Sequence, residues 1–496
     1  MSTVLRTLAL LCAAAPISAQ HPNRHVLVGK SPNAQYGSSI TVAGDVDGDG
    51  CPDFLVGAPI DNRTTEKSGA LELRSGRTMA LLRTWLGPGK GDELGFAGAG
   101  AGDVDGDGTP DILCGVLGGV GPERSFIGNA RVYSGKTGAR LYTFVGRDWY
   151  DYFGLSVFGL LDLDGDHHAE FAIGCPGDDG SGRDHGKLEI HDGATGALIR
   201  VLRGDVQGGQ FGWNARNVGD LDGDGHADIA IGAPGHVRPH DPTGLPGLVR
   251  VHSGKSGEKL FQFDGEAKDD HFGWSVSALG DIDADGTPDF AIGAPFTDFG
   301  GTDCGSVYLI SGKSGTRIRR IDGSQPGARF GWCVFGTDDY DHDGEPELWI
   351  TAPNENRDAA DDKRGTARLF SAQSGTALLT LYGDAPKGEF GFSLADLGPV
   401  LADGTHRIVV GARSDDVGRG QMVGTATAIE IAPARGDAAP RDLSAETTVE
   451  AVDLAKIEVY EAPKTLPMPS SGHLAMLGVG AITLVVLGAA YALWRR

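Results

Sequence analysis

The chain has 496 residues, of which 79 are glycine, more than twice the usual share of about 7 %. Its 67 acidic against 43 basic side chains leave a net charge of −24, which excludes the basic surface that nucleic acid requires. With 40 % hydrophobic residues, 25 prolines and no strict Gly-X-Y period, neither a disordered chain nor a collagen fits, and many short apolar runs between turn residues point to an all-β protein.

Residues 1–19 read as an export signal. Arg6 gives a positive start, residues 8–15 are apolar, and Ser18-Ala19 offers a small-residue cleavage site before Gln20. A lone strand-like run follows at residues 25–28. From Tyr36-Gly37 onward a unit of about 59 residues recurs seven times, marked by Leu94-Gly95, Phe153-Gly154, Phe211-Gly212, Phe272-Gly273, Phe330-Gly331 and Phe390-Gly391. Each unit holds a short apolar run, an acidic loop, and a second run ending in Gly-Ala-Pro or a relative of it. A variable loop and a third run come next, and a Ser-Gly-Lys-Ser/Thr-Gly turn leads to the fourth. Four short strands make one small antiparallel sheet, which cannot bury both faces alone, so the units must stack. Seven suit a closed ring, within the usual four to eight blades. The last unit lacks its fourth strand and the chain begins with an orphan one. The N-terminal run is therefore expected to complete blade seven and latch the ring.

The first six units carry D-x-D-x-D-G-x-x-D or a near variant. The acids are Asp45, Asp47, Asp49 and Asp53; Asp103, Asp105, Asp107 and Asp111; Asp162, Asp164, Asp166 and Glu170; Asp220, Asp222, Asp224 and Asp228; Asp281, Asp283, Asp285 and Asp289; and Asp339, Asp341, Asp343 and Glu347. Positions one, three, five and nine can converge on one point, glycine at six allows the sharp turn, and position seven can offer its carbonyl. Oxygen ligands in this pattern suit a hard cation, Ca2+ before Mg2+. A solvated acidic turn is the plain alternative, but like charges about 4 Å apart repel by roughly 1 kcal/mol even in water. The loops hold no thiolate–imidazole ligand set, which argues against zinc. Up to six structural Ca2+ ions are expected, the third site weakest because His167 replaces its glycine. Ala284 departs from the pattern in loop five, and loop seven (396–403) has lost it.

These motifs in phase resemble the FG-GAP repeat, found in the N-terminal propeller of integrin α chains and in bacterial surface proteins. The resemblance covers residues 24–431. It implies a seven-bladed β-propeller of four-stranded blades, calcium on the loops between first and second strands, and ligand contacts on the opposite face. The loops expected there are long and varied, and Arg147-Asp-Trp-Tyr-Asp-Tyr152 is the most aromatic. Trp149, Tyr150 and Tyr152 form either a recognition patch or ordinary packing against Phe153. His236, Arg238 and His240 read as a solvated loop, and Arg203-Gly-Asp205 and Arg435-Gly-Asp437 as chance products of the composition.

Residues 432–472, rich in Ala, Pro, Glu and Thr, read as a flexible stalk. Residues 474–494 are apolar except Thr483 and long enough to span a bilayer. Arg495-Arg496 favours a cytoplasmic C-terminus, so segment 473–496 is expected to be a transmembrane helix with the propeller outside the cytoplasm. Its flank resembles a bacterial PEP-CTERM sorting tail, but Met468 stands where that motif has Glu, and a plain anchor is the simpler reading. Cys51, Cys114, Cys175, Cys304 and Cys333 are odd in number and scattered, so no disulfide framework is expected. No Gly-x-Ser-x-Gly, His-Glu-x-x-His, phosphate loop or dinucleotide fingerprint is present, so no catalytic residue is assigned. The expectation is an exported, membrane-anchored, calcium-binding module with a protein or carbohydrate partner. A surface scaffold and, behind it, a propeller hydrolase are the alternatives.

Overall fold

A computed structural model describes residues 23–432, apart from 119–125, 161, 164, 236–243, 342, 358–361 and 418–421. The expected export signal, the stretch from 433 onward with its Arg435-Gly-Asp437 and apolar tail, and the His236, Arg238 and His240 loop lie outside the described residues.

The described chain is all-β and forms seven four-stranded antiparallel sheets. In blade one the strands run Ser39–Gly44, Asp53–Ala58, Ala70–Arg74 and Leu81–Leu86, in sequence order across the sheet. Five more blades repeat this meander. Blade seven takes Phe390–Pro399, His406–Ala412 and Thr425–Ile431 from the end of the repeats and Arg24–Val28 from the start of the chain. The latch expected from the sequence forms: Arg24 pairs with Ile429 and Val28 with Thr425 in antiparallel register. Gly29 N also donates to Gly424 O at 3.0 Å, and Arg24 bridges Asp384 at 3.0 Å.

The reason for a ring lies in the second strands. Asp53–Ala58 is buried at every position, so both faces of the sheet need cover. Phe54, Val56 and Ala58 pack against Ala395, Val409 and Ala428 of blade seven, while Leu55 packs with Leu94, Ile112 and Cys114 of blade two. Successive strand residues point to opposite faces, so one strand serves two interfaces. Seven apolar clusters result, each shared by neighbouring blades, and the one between blades seven and one closes the circle. Fourth strands lie outermost and half exposed. Arg317-Ile-Arg-Arg-Ile-Asp322 shows how charge protects an open edge. The cysteines are free thiols, four of them buried in this packing.

The Phe-Gly and Gly-Ala-Pro motifs meet where blades touch. A Cβ on Gly57 would lie 2.0 Å from the carbonyl oxygen of Gly95 in the next blade, and the same holds for Gly115 with Gly154, Gly232 with Gly273, and Gly411 with Gly37. The oxygen reached in this way is also hydrogen-bonded from the neighbouring blade. Ser39 Oγ donates to Gly95 O, Ser156 to Gly212 O, Ser275 to Gly331 O and Ser393 to Gly37 O, at 2.7–3.0 Å. Blade six departs from the rule: Thr351 stands in the glycine's place and its hydroxyl accepts from Cys333 N at 3.1 Å.

Two outcomes follow from this geometry. Deleting residues 23–29 should lower the melting temperature by roughly 5–10 °C, the scale for a few kcal/mol in a large domain; an unchanged melting curve would show that the latch carries no stability. Gly293→Ala places a methyl 2.2 Å from Gly331 O and should cost about 2–3 kcal/mol. Gly223→Ala, at φ +76 but with nothing within 4 Å, should cost only about 1 kcal/mol. Chemical denaturation of the two variants compares them directly.

Candidate metal centres

Each acidic loop joins the first strand of a blade to the second, at the same end of the ring as the turn between strands three and four. The glycines at positions four and six adopt positive φ, as in Gly48 (74°) and Gly50 (85°). His167 (73°) and Ala284 (59°) are held in the same left-handed region without glycine's freedom, which costs about 1 kcal/mol or more. The two departures read from the sequence therefore fall on strained positions.

Position nine organises the loop from beneath. Asp53, Asp111, Glu170, Asp228, Asp289 and Glu347 are all fully buried. Asp53 Oδ2 accepts from Val46 N and Asp47 N at 2.9 and 3.0 Å, and its Oδ1 accepts from Gly76 N at 3.0 Å. Asp111, Asp228 and Asp289 likewise accept from the loop and from Gly135, Gly254 and Gly312 of the facing turn. Position one curls the loop from above. Asp45 accepts from Asp49 N and Gly50 N, and Asp103, Asp220, Asp281 and Asp339 do the same. Loop three follows suit, with Asp162 accepting from Gly165 and His167 and Asp166 from His168; Asp164 lies outside the described residues.

This scaffold brings positions one, three and nine together. One carboxylate oxygen each from Asp45, Asp47 and Asp53 lies within 4.8 Å of the others, as do those of Asp103, Asp105 and Asp111, and of Asp220, Asp222 and Asp228. In loop six the group is Asp339, Asp341, Asp343 and Glu347. Position five takes a second role that the sequence reading missed. Asp49 Oδ2 stands 3.4 Å from Arg77 Nε, Asp107 Oδ2 stands 3.9 Å from Lys136 Nζ, and Asp224 and Asp285 accept from Ser253 and Ser311 at 3.5 and 3.4 Å. The basic residue of the Ser-Gly-Lys turn also donates to the position-five carbonyl, as Lys313 does to Asp285 O at 2.7 Å. The basic residue follows position five by 28–31 residues, an interval that does not by itself show that the two meet.

The donor set fits a divalent cation. It consists of carboxylate oxygens, and the one thiol nearby, Cys51, is directed at Val400 O. Glu347 Oε1 is buried without a hydrogen-bond partner among the described residues, an oxygen that a cation would satisfy. Loop seven lacks the acidic pattern. Leu397 and Val400 pack into the interface with blade one, and Asp396 Oδ2 accepts from Thr337 Oγ1 and Tyr340 OH at 2.5 and 2.7 Å.

Burial pushes the carboxyls of Asp53, Asp111 and Asp289 up to about 6 and that of Glu347 up to about 8, against the pull of the backbone N–H groups. A raised folded-state pKa favours the protonated fold. The stability it contributes is complete below the unfolded value near 4 and is lost as pH rises through the folded value. In chelator the melting temperature should therefore fall between pH 5 and 8. Glu347→Gln, which needs no charge, should flatten the part of that fall between pH 6 and 8; an unaltered slope would remove Glu347 as its source.

At the opposite end of the ring the link between blades two and three exposes Trp149 and Tyr150, 58 % and 43 % accessible. Tyr150 and Tyr152 lie 6.0 and 5.8 Å from the Phe126 ring, so they pack on the loop beside them and leave Trp149 to solvent.

Comparison with known proteins agrees with this architecture. The FG-GAP repeat family matches residues 36–71, 211–245 and 272–310. Integrin alpha-V of Gallus gallus is 31 % identical over 217 residues, covering 40 % of this chain and 20 % of the relative. Integrin alpha-IIb of Homo sapiens is 31 % identical over 224 residues, covering 42 % and 21 %. Integrin alpha-PS2 of Drosophila melanogaster is 28 % identical over 209 residues, covering 38 % and 14 %. The matched region spans about a fifth or less of the length of these relatives. The chain therefore holds three FG-GAP repeats within a ring of seven blades and has integrin α chains among its relatives.

Proposed function

We propose that this chain is a calcium-stabilised binding module, displayed outside the cytoplasm by its apolar tail, and that it recognises a protein or carbohydrate by the end of the ring opposite the acidic loops. The observation that carries the reading is the division of labour between the two ends. One end holds convergent carboxylates on a repeated scaffold; the other carries links of unequal length and the exposed Trp149 and Tyr150. Large amphipathic side chains on a rigid frame are favoured for recognition because little conformational entropy is lost when they are covered. Similarity to integrin α chains supports binding rather than catalysis. In this reading Asp, Glu and loop carbonyls of blades one to six would hold the ions, residues 1–19 direct export and segment 473–496 anchors the chain.

Calcium binding to the folded state alone should raise the melting temperature, by the equivalent of about 2.7 kcal/mol per site at a hundredfold excess over Kd. Asp222→Asn, at a position that supports little of the loop itself, should reduce that rise while leaving the chelated protein unchanged; no difference between chelator and millimolar calcium would overturn the metal assignment. For the recognition end, the full-length protein probed against glycan and protein arrays should lose its ligand on Trp149→Ala with Tyr150→Ala. Retained binding would move the site elsewhere on the ring.

A further inference from the structure

The acidic loops differ from one another beneath their shared spacing. In blades one, two, four and five position nine is Asp, and backbone N–H groups engage both of its oxygens. One oxygen takes a loop N–H, and the other takes the facing turn at Gly76, Gly135, Gly254 or Gly312. In blade six position nine is Glu347, one methylene longer. Its Oε2 accepts from Tyr340 N at 2.5 Å. Its Oε1 reaches no turn N–H and lies fully buried without a hydrogen-bond partner among the described residues.

The turn facing the loop differs as well. In blades one, two, four and five it carries Arg77, Lys136, Lys255 or Lys313, each donating to the position-five carbonyl. Blade six has Gln373 there, exposed and uncharged. With no base at that place, Asp343 joins the cluster. Asp339, Asp341, Asp343 and Glu347 each bring an oxygen within 4.8 Å of the others, where loops one, two and four gather three carboxylates. Position three also moves inward: Asp341 is buried, whereas Asp47, Asp105 and Asp222 are exposed. Attraction for a cation grows with each added carboxylate, with the removal of a competing base and with the exclusion of water.

Loop six is also held from the neighbouring blade. Position two is Tyr340, where loops one, two, four and five have Val46, Val104, Leu221 and Ile282. Its N–H binds Glu347, its hydroxyl donates to Asp396 Oδ2 of blade seven at 2.7 Å, and its ring lies 3.9 Å from that of His406 and 6.2 Å from that of Trp349. Ligands fixed before the ion arrives lose little freedom when it binds. Loop three shares the glutamate, with Glu170 accepting from Leu163 N, and has Ala194 in place of the base. Its position six, however, is His167, held in the left-handed region.

Resting on the calcium reading given above, we propose that loop six is the primary cation site of the ring. Its four carboxylates take Ca2+ at lower concentration than loops one, two, four and five, and Glu347 gives the ion an oxygen that no hydrogen bond claims. Calcium titration of the full-length protein against a competing chromophoric chelator reads the affinities. One step should lie roughly tenfold tighter than the rest. Glu347→Gln should remove that step and leave the weaker ones in place. If this variant does not fold, Asp343→Asn, at an exposed position, replaces it with the same expected loss. Gln373→Lys alters no ligand and gives blade six the base of the other turns. It should weaken the tight step several-fold while the melting temperature in chelator stays as in wild type. A tight step that survives Glu347→Gln and Asp343→Asn, steps of equal affinity in wild type, or Gln373→Lys binding as wild type does would overturn the ranking and leave calcium binding itself standing. Absence of any calcium-dependent step in wild type would remove the calcium reading and the ranking together.

Discussion

The distance between two backbones where one blade meets the next governs this molecule. At six of the seven junctions the second strand of a blade offers a glycine face to the carbonyl of the next blade's Phe-Gly, so close that a single methyl would collide. In blades one, three, five and seven the serine two residues beyond Phe-Gly adds a hydrogen bond to that contact, from Ser39, Ser156, Ser275 and Ser393. Each bond contributes about 1 kcal/mol, but its greater effect is to set the spacing at which the apolar clusters interlock. The contact between Ser393 and Gly37 joins residues 356 positions apart, and it has the same form as those between sequence neighbours. A ring closes when its last junction is built like all the others.

That regularity turns a local motif into a shared platform. In blades one, two, four and five the acidic loop is fastened at position nine to the turn between strands three and four, so the position of the carboxylates is set by the same sheet that fills the interface. Charge is concentrated above a buried anion that pulls on backbone N–H groups. The cost of burying that anion is visible in its raised pKa, and a bound cation is the natural means of offsetting it. Blade seven, which lacks the acidic pattern, instead packs Leu397 and Val400 against blade one and satisfies its one carboxylate there, Asp396, with the Tyr340 hydroxyl.

Function then divides along the axis. The end with the loops is repetitive and stiff; the opposite end is irregular, and its links differ in length from blade to blade. In the reading proposed above, recognition falls at the end where the repeats differ from one another.

Much of this was legible in the chain alone. The interval of the Phe-Gly pairs, the four runs per unit and the missing last strand determined a seven-bladed ring closed by the N-terminal strand, because both depend on short-range pattern and on counting. The acids of the loops were legible for the same reason: a nine-residue turn is a local object. What tertiary structure alone decided is every relation between residues far apart in sequence. The second role of position five with the Ser-Gly-Lys turn, the serines that hold the Phe-Gly carbonyls and the use made of Thr351 in a glycine's place arise from packing between strands and blades, which no spacing along the chain encodes.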